Sequence, residues 1–176
     1  FKIVTSTIDF GQMSVDASPP DRPVTVQNVG NETALASFDA PDDGAFAMHW
    51  TGDPTPAAVA PGAELAKAAA HFHPTLPGEV QASASLHVEG AVCGGPPPPL
   101  FLRGEGVNGV VGVSPGKLDF GLVPCGSKGP AQSVVVFNTG NASFQFWASL
   151  GKGPTRIDVV GASTGIVARQ GTSVVG

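Results

Sequence analysis

The residues with most capacity for chemistry are His71 and His73, which flank Phe72. On an extended chain positions i and i+2 point from one face, a spacing that supplies two corners of a tetrahedral metal site if a third ligand arrives. The sequence offers none. His87 falls on a run assigned to the opposite sheet of a sandwich, and nothing in the pattern brings His49 near the pair. Both histidines are read as surface residues. Asp39, Asp42 and Asp43 cluster around Pro41 and Gly44, which is the composition of a solvated turn rather than of paired catalytic carboxylates. Gly104-Glu105-Gly106 resembles part of a nucleotide loop, yet no helix follows to receive a phosphate, and no serine sits in a Gly-x-Ser-x-Gly elbow. No catalytic, cofactor-binding or metal-ligating residue is assigned, no cofactor is expected, and the chain is not read as an enzyme.

Cys93 and Cys125 are the two cysteines. They are too few for a disulfide framework and lack zinc spacing. In a tandem of domains they fall far apart, beyond the ~7 Å Cα separation a disulfide tolerates, so free thiols are expected. Cys125 follows Pro124 late in a strand, where core or edge packing is its expected role. Pro96 to Pro99 reads as a stiff polyproline segment before Leu100, without the flanking Arg or Lys that SH3-type ligands often carry. Asn31-Glu32-Thr33 and Asn141-Ala142-Ser143 match glycosylation sequons, but each adjoins a Gly where a turn favours Asn anyway.

The elements around these residues follow from composition. Among 176 residues are 24 glycines and 17 prolines, which disfavours long helices, and no apolar run is long enough to span a membrane as a helix. The net charge of −5 supplies no basic field, so neither nucleic acid nor an anionic membrane is an expected partner. The start at Phe1 has no signal-peptide profile, and the chain is read as part of something longer.

An internal repeat organises the rest. Ile8-Asp9-Phe10-Gly11 answers Leu118-Asp119-Phe120-Gly121, and Val24 to Asn31 answers Val134 to Asn141, both at a separation of 110 residues. Two blocks at one offset mark a duplicated unit. Each apolar run entering Asn-x-Gly-Asn is a strand meeting a turn. Strands are expected near residues 2–10, 23–28, 33–39, 45–50, 64–73, 80–90 and 99–107, which is the number a sandwich needs. Ala63 to Ala70 carries strong helix formers, but Pro61-Gly62 and Pro74 bracket it, and Ala68, Ala70 and Phe72 alternate onto one face, so it is assigned to a strand.

The expected fold is therefore all-β: tandem immunoglobulin-like β-sandwiches, the second incomplete. Residues 1–107 form the complete sandwich, 108–112 a linker, and 113–176 the N-terminal part of the second. There Arg169 to Ser173 answers Ala60 to Glu64 at a one-residue shift, and nothing answers His71 to Pro74 or Leu100 to Gly106. About three strands are missing, which predicts an open edge beside Val134 to Asn138. Phe10 and Phe120 are expected to anchor cores, Gly11 and Gly121 to let the first strand bend, and Trp50 and Trp147 to fill a core or an interdomain space.

These residues resemble the ASH-type immunoglobulin-like repeats, named for abnormal spindle and Hydin proteins and related to major-sperm-protein domains. The pieces are Leu118 to Gly121 with Val123 to Gly126, the Asn-x-Gly turns, Phe72-His73-Pro74 with Gly78, and Leu100 to Gly106. They cover most of residues 1–107 and the first half of the second unit, and they carry no catalytic residues. Gly94-Gly95-Pro96 and Phe144 to Trp147 look closer to the Hydin-type branch of ciliary axonemes. The resemblance then implies a scaffold segment of the central apparatus that meets other axonemal structural proteins through strand edges and loops. Its acidic charge would make microtubule contact indirect, and a partner strand could complete the second sandwich. The alternative branch is an extracellular bacterial surface or adhesion stalk of the same fold. A carbohydrate- or peptide-binding module needs a concave aromatic surface, for which a chain with two Trp and no Tyr has little material.

Overall fold

A computed structural model describes residues 1–50, 56–90, 94–151 and 157–175, and every regular element among them is a strand. The chain divides into two compact units, Phe1–Val107 and Asn108–Gly176.

Among the described residues of the first unit the strands run β1 (Lys2–Ile3), β2 (Thr7–Ser14), β3 (Arg22–Gln27), β4 (Ala34–Phe38), β5 (Phe46–Trp50), β6 (Ala57–Val59), β7 (Glu64–Phe72), β8 (Gly78–Ala84), β9 (Leu86–Glu89) and β10 (Leu100–Val107). One layer has the order β1-β3-β7-β5. The other is built from β2-β10-β8 and β6-β4-β9, and Ser85 alone separates β8 from β9. The first strand switches layers. β1 pairs antiparallel with β3, and after Val4–Ser6 the chain continues as β2, which pairs parallel with β10. A first strand shared between two sheets, with its second half parallel to the last strand, is the topology of an immunoglobulin-like sandwich.

Alternation explains the layers. On β10, Leu100, Leu102 and Gly104 are buried while Phe101 and Arg103 are exposed. Phe10, Phe46 and Phe72 meet at ring separations of 4.8 to 5.9 Å, and Phe72 is fully buried. The alanines of β7 leave room for these rings, so packing overrides their helix propensity. Gly104 belongs to the same arrangement, since a Cβ there would sit 2.5 Å from the Phe72 ring. The Gly104-Glu105-Gly106 run is thus a sheet segment shaped by an aromatic neighbour. Gly11 adopts φ 68° where β2 slips register against β10 between Arg103 and Glu105, so the expected bend is a bulge.

The second unit comprises β11 (Val111–Ser114), β12 (Val134–Asn138), β13 (Phe144–Trp147), β14 (Thr164–Val167) and β15 (Thr172–Val175). One sheet has the order β11-β12-β15 and the other is the β13-β14 pair. Against the first unit, β11 stands for β1, β12 for β3, β13 for β4, β14 for β6 and β15 for β7. Among the described residues nothing stands for β5, β8, β9 or β10. The second sandwich is incomplete, and its buried core is Val136, Phe146, Val167 and Val175, with Phe144 and Ala148 packed against it.

Two expectations need correction here. Residues 108–112 are not a free linker: the Asn108 backbone N–H donates to Asn141 Oδ1 at 2.8 Å, and Val111 and Gly112 pair with Asn138 and Phe137. Nor is β12 an edge, because β11 and β15 flank it.

Candidate functional site: repeated polar pins and an uncovered strand

The polar residues singled out by the repeat serve the backbone. Asn28 and Asn138 are 2 % and 3 % exposed. Asn28 Nδ2 donates to the carbonyls of Glu32 (2.8 Å) and Val59 (2.9 Å), and its Oδ1 accepts from the Gly30 N–H (2.9 Å). Asn138 repeats the pattern: Nδ2 reaches the carbonyls of Ala142 (2.6 Å), Ala168 (3.1 Å) and Val167 (3.4 Å), and Oδ1 accepts from Gly140 (2.9 Å) and Val110 (3.2 Å). Each amide ties the end of one sheet to a strand of the other, β6 in the first unit and β14 in the second. Sequence reasoning recognised the Asn-x-Gly turn but missed this pin. The signal was there, since a turn alone does not require the same Asn three positions before Asn31 and Asn141.

Asp9 and Asp119 form matching turns. Each carboxylate accepts the N–H of the glycine two residues on, at 2.8 and 2.9 Å, and Gly121 adopts φ 62°. That N–H holds the Asp9 carboxyl below its ordinary value, assisted by Arg103 at 2.9 Å. In the second unit the turn survives without the strand: residues 115–133 contain none, and Leu122 is fully exposed. With no counterpart of β10 among the described residues, nothing there offers a ladder to Leu118–Gly121.

The histidines are brought together differently from expectation. His49 on β5 and His71 on β7 both meet Asp21, His49 Nε2 to Oδ2 at 2.8 Å and His71 Nδ1 to Oδ1 at 2.9 Å. A carboxylate only accepts, so both imidazole nitrogens donate, which sets each tautomer. His49 is therefore adjacent to His71, because β5 pairs directly with β7, a pairing that sequence order does not reveal. His73 Nδ1 donates to the Ala17 carbonyl at 3.1 Å. Three histidines thus clamp the segment from Ala17 to Asp21. The His71 contact leads in lowering the Asp21 carboxyl pKa. No group of three or more His, Cys, Asp or Glu among the described residues is arranged to hold a metal ion. His87 lies on β9 in the other sheet, 3.8 Å from Glu89.

Of the aspartates near Pro41, Asp42 accepts from the Ser83 N–H (2.8 Å) and hydroxyl (3.2 Å), which fastens the turn to the end of β8 and depresses its carboxyl pKa. Cys125 is free and exposed beside a turn closed by the Ser127 N–H and Pro124 carbonyl, not packed in a core or edge as expected. Cys93 lies outside the described residues. Pro96–Pro99 are irregular and lead straight into β10.

What remains without a local role is apolar. Trp50 packs against the first core and contacts Phe38 at 6.0 Å, but Trp147, expected as a filler, is 72 % exposed, and Ile166 on the adjacent strand is 73 % exposed. Both lie on β13-β14. In the first unit β4 is paired on two sides, by β6 and β9. Its counterpart β13 is paired only by β14, so one side of the Phe144–Trp147 backbone is uncovered by any described strand.

No family model and no curated protein matches the chain. Among solved structures, the crystal structure of the class 5 fimbriae chaperone CfaA is similar at a TM-score of 0.41 and 9 % identity, over 97 % of this chain and 83 % of that one.

Proposed function

We propose that this chain is a non-enzymatic scaffold segment of a large axonemal protein of the central-apparatus type, whose serial sandwiches mediate assembly with other structural proteins. The observation that carries the reading is the repetition of internal polar devices: the buried Asn pin and the Asp-Phe-Gly turn recur in both units with the same bonds. The side chains of Asn28 and Asp9 are spent on holding backbone, and those of Asn138 and Asp119 are spent the same way again. A chain duplicated in this manner gains length and strand edges, which suits spacing and docking. The axonemal setting rests on the resemblance of Leu100–Gly106, Phe72–Pro74 and the Asn-x-Gly turns to ASH-type repeats, and with it goes location in a cilium or flagellum.

The test is location and extraction. Tagged and expressed in a ciliated cell, the chain should remain with detergent-extracted axonemes and leave them with salt. A diffuse pool released by detergent alone would refute the axonemal setting. Oxidised cysteines in the native protein would point instead to the extracellular stalk.

A further inference from the structure

Asn108 opens the second unit and is the asparagine of this chain that glycine follows; Asn28, Asn31, Asn138 and Asn141 precede Val, Glu, Thr and Ala. A glycine nitrogen has no side chain beside it and is the least shielded nucleophile a peptide backbone offers. Among the described residues, neither the Asn108 side-chain amide nor the Gly109 N–H has a hydrogen-bond partner, and Gly109 is exposed. The amides of Asn28 and Asn138, in contrast, are committed to buried backbone groups.

Packing keeps the glycine in place. A Cβ at Gly109 would stand 3.0 Å from the Phe144 ring and 3.2 Å from its Cβ, and Gly140 lies so close to the Asn108 carbonyl that a Cβ there would collide with it. Phe144 in turn packs against the core of the second unit. The seat for this ring therefore requires the residue that leaves Asn108 open to attack. The Asn108 carbonyl accepts the Ala142 N–H at 2.8 Å. That bond draws electron density from the Asn108–Gly109 peptide and eases loss of the Gly109 proton.

We propose that Asn108 is a site of spontaneous covalent modification, deamidation with isomerisation, which the folded second unit leaves open. The Gly109 nitrogen attacks Asn108 Cγ, a C–N bond forms, and the side-chain nitrogen departs as ammonia, taking up the proton that Gly109 gives up. Water then opens the cyclic imide. Opening at Cγ restores the backbone with an aspartyl side chain. Opening at the Asn108 main-chain carbonyl gives the isoaspartyl form, in which the backbone runs through the former side chain and gains a methylene, while the acceptor of Ala142 becomes a free carboxylate. The Val110 N–H bond to Asn138 Oδ1 and the pairing of Val111 with Asn138 follow within two residues, so the added length must loosen β11 from β12. The reaction needs only water and is independent of the axonemal setting.

The test is to incubate the full chain at mildly alkaline pH and body temperature and follow it by peptide mapping with isoaspartyl methyltransferase labelling. Asn108 should convert at least about tenfold faster than the exposed Asn31, whose next residue Glu32 shields its nitrogen. Its rate in the folded chain should lie within about tenfold of that in the urea-unfolded chain. Amide exchange at Val111–Ser114 should quicken in the isolated isoaspartyl form and stay near the unmodified rate in Asn108→Asp, which carries the charge without the extra methylene. Asn108→Gln should abolish the conversion. Conversion no faster than at Asn31, or suppression by folding beyond about tenfold, would overturn the proposal. So would equal exchange of β11 in the isoaspartyl form and in Asn108→Asp.

Discussion

Replacing Asn28 with Ala should cost the first unit about 3 kcal/mol. The substitution removes two Nδ2–H donors and one Oδ1 acceptor, and leaves the carbonyls of Val59 and Glu32 and the N–H of Gly30 without that partner. A net hydrogen bond contributes about 1 kcal/mol and an abandoned buried group about 1–3 kcal/mol, so three bonds, one of them buried, give a loss near 3 kcal/mol. Asn28→Asp keeps the acceptor but turns a carboxylate toward two carbonyl oxygens, and should be no better. Urea unfolding followed through Trp50, in a Trp147→Phe background, isolates the first unit because Trp50 packs on its core. With a slope of about 1.5 kcal/mol/M the midpoint should fall by about 2 M. A drop under about 0.5 M at unchanged slope would refute the pin, showing that Val59 and Glu32 find other donors. Asn138→Ala, measured by amide exchange of β12 and β14, should loosen the second unit and spare the first.

Gln170 occupies φ 52° where the first unit has Gly62 at 71°, so Gln170→Gly should stabilise the second unit by about 0.5–1 kcal/mol in thermal unfolding, while Gly62→Ala should destabilise the first by about 1 kcal/mol. Gly104→Ala should cost about 1–3 kcal/mol by driving a methyl into the Phe72 ring, and Phe72→Ala in the same background should remove most of that penalty, which a double-mutant cycle would read. Asp9, Asp21 and Asp42 are all depressed below their ordinary 3.8 in the folded state. Their contribution is therefore full above that value and is lost as pH falls through the lower folded values; the melting temperature should be flat near pH 6, decline below about pH 4, and decline less steeply in Asp21→Ala. Cys125 should label with maleimide in the native protein at nearly the rate of a small free thiol, as peptide mapping would show.

Comparison of the units shows where pattern reading loses accuracy. The front of each unit keeps an offset of 110 residues, as with Asn28 and Asn138, but the later part does not: Val59 and Val167 hold the same place in their sheets at a separation of 108. The turn before β7 closes from the Ala63 N–H to the Ala60 carbonyl, and that before β15 from Gly171 to Ala168, also 108 apart. Matching Gly62 to Gly171 by residue type therefore gave a one-residue shift, when the backbone equates Gly62 with Gln170. The glycine was the misleading clue, because the left-handed site is occupied by glutamine.

Local pattern located most strands of the first unit, including Glu64–Phe72 against its helix propensity, since alternation and bracketing Pro and Gly act over a few residues; but residues 2–10 and 80–90, each expected as one strand, are divided between two strands that pair in different sheets. The duplication and the incompleteness of the second unit were legible for the same reason. β6 escaped notice because three residues carry no period. What only tertiary structure decided were matters of pairing: that β5 lies beside β7 and puts His49 next to His71, that β12 is central, and that among the described residues β13 and β15 are the strands lacking a neighbour that their counterparts have. Side chains report burial and turn preference along the chain, whereas the neighbour of a strand is chosen by closure of the whole sheet. The Asn pin lies between these cases, since its repetition was written in the sequence and its partners, the Val59 and Val167 carbonyls, were supplied by the fold.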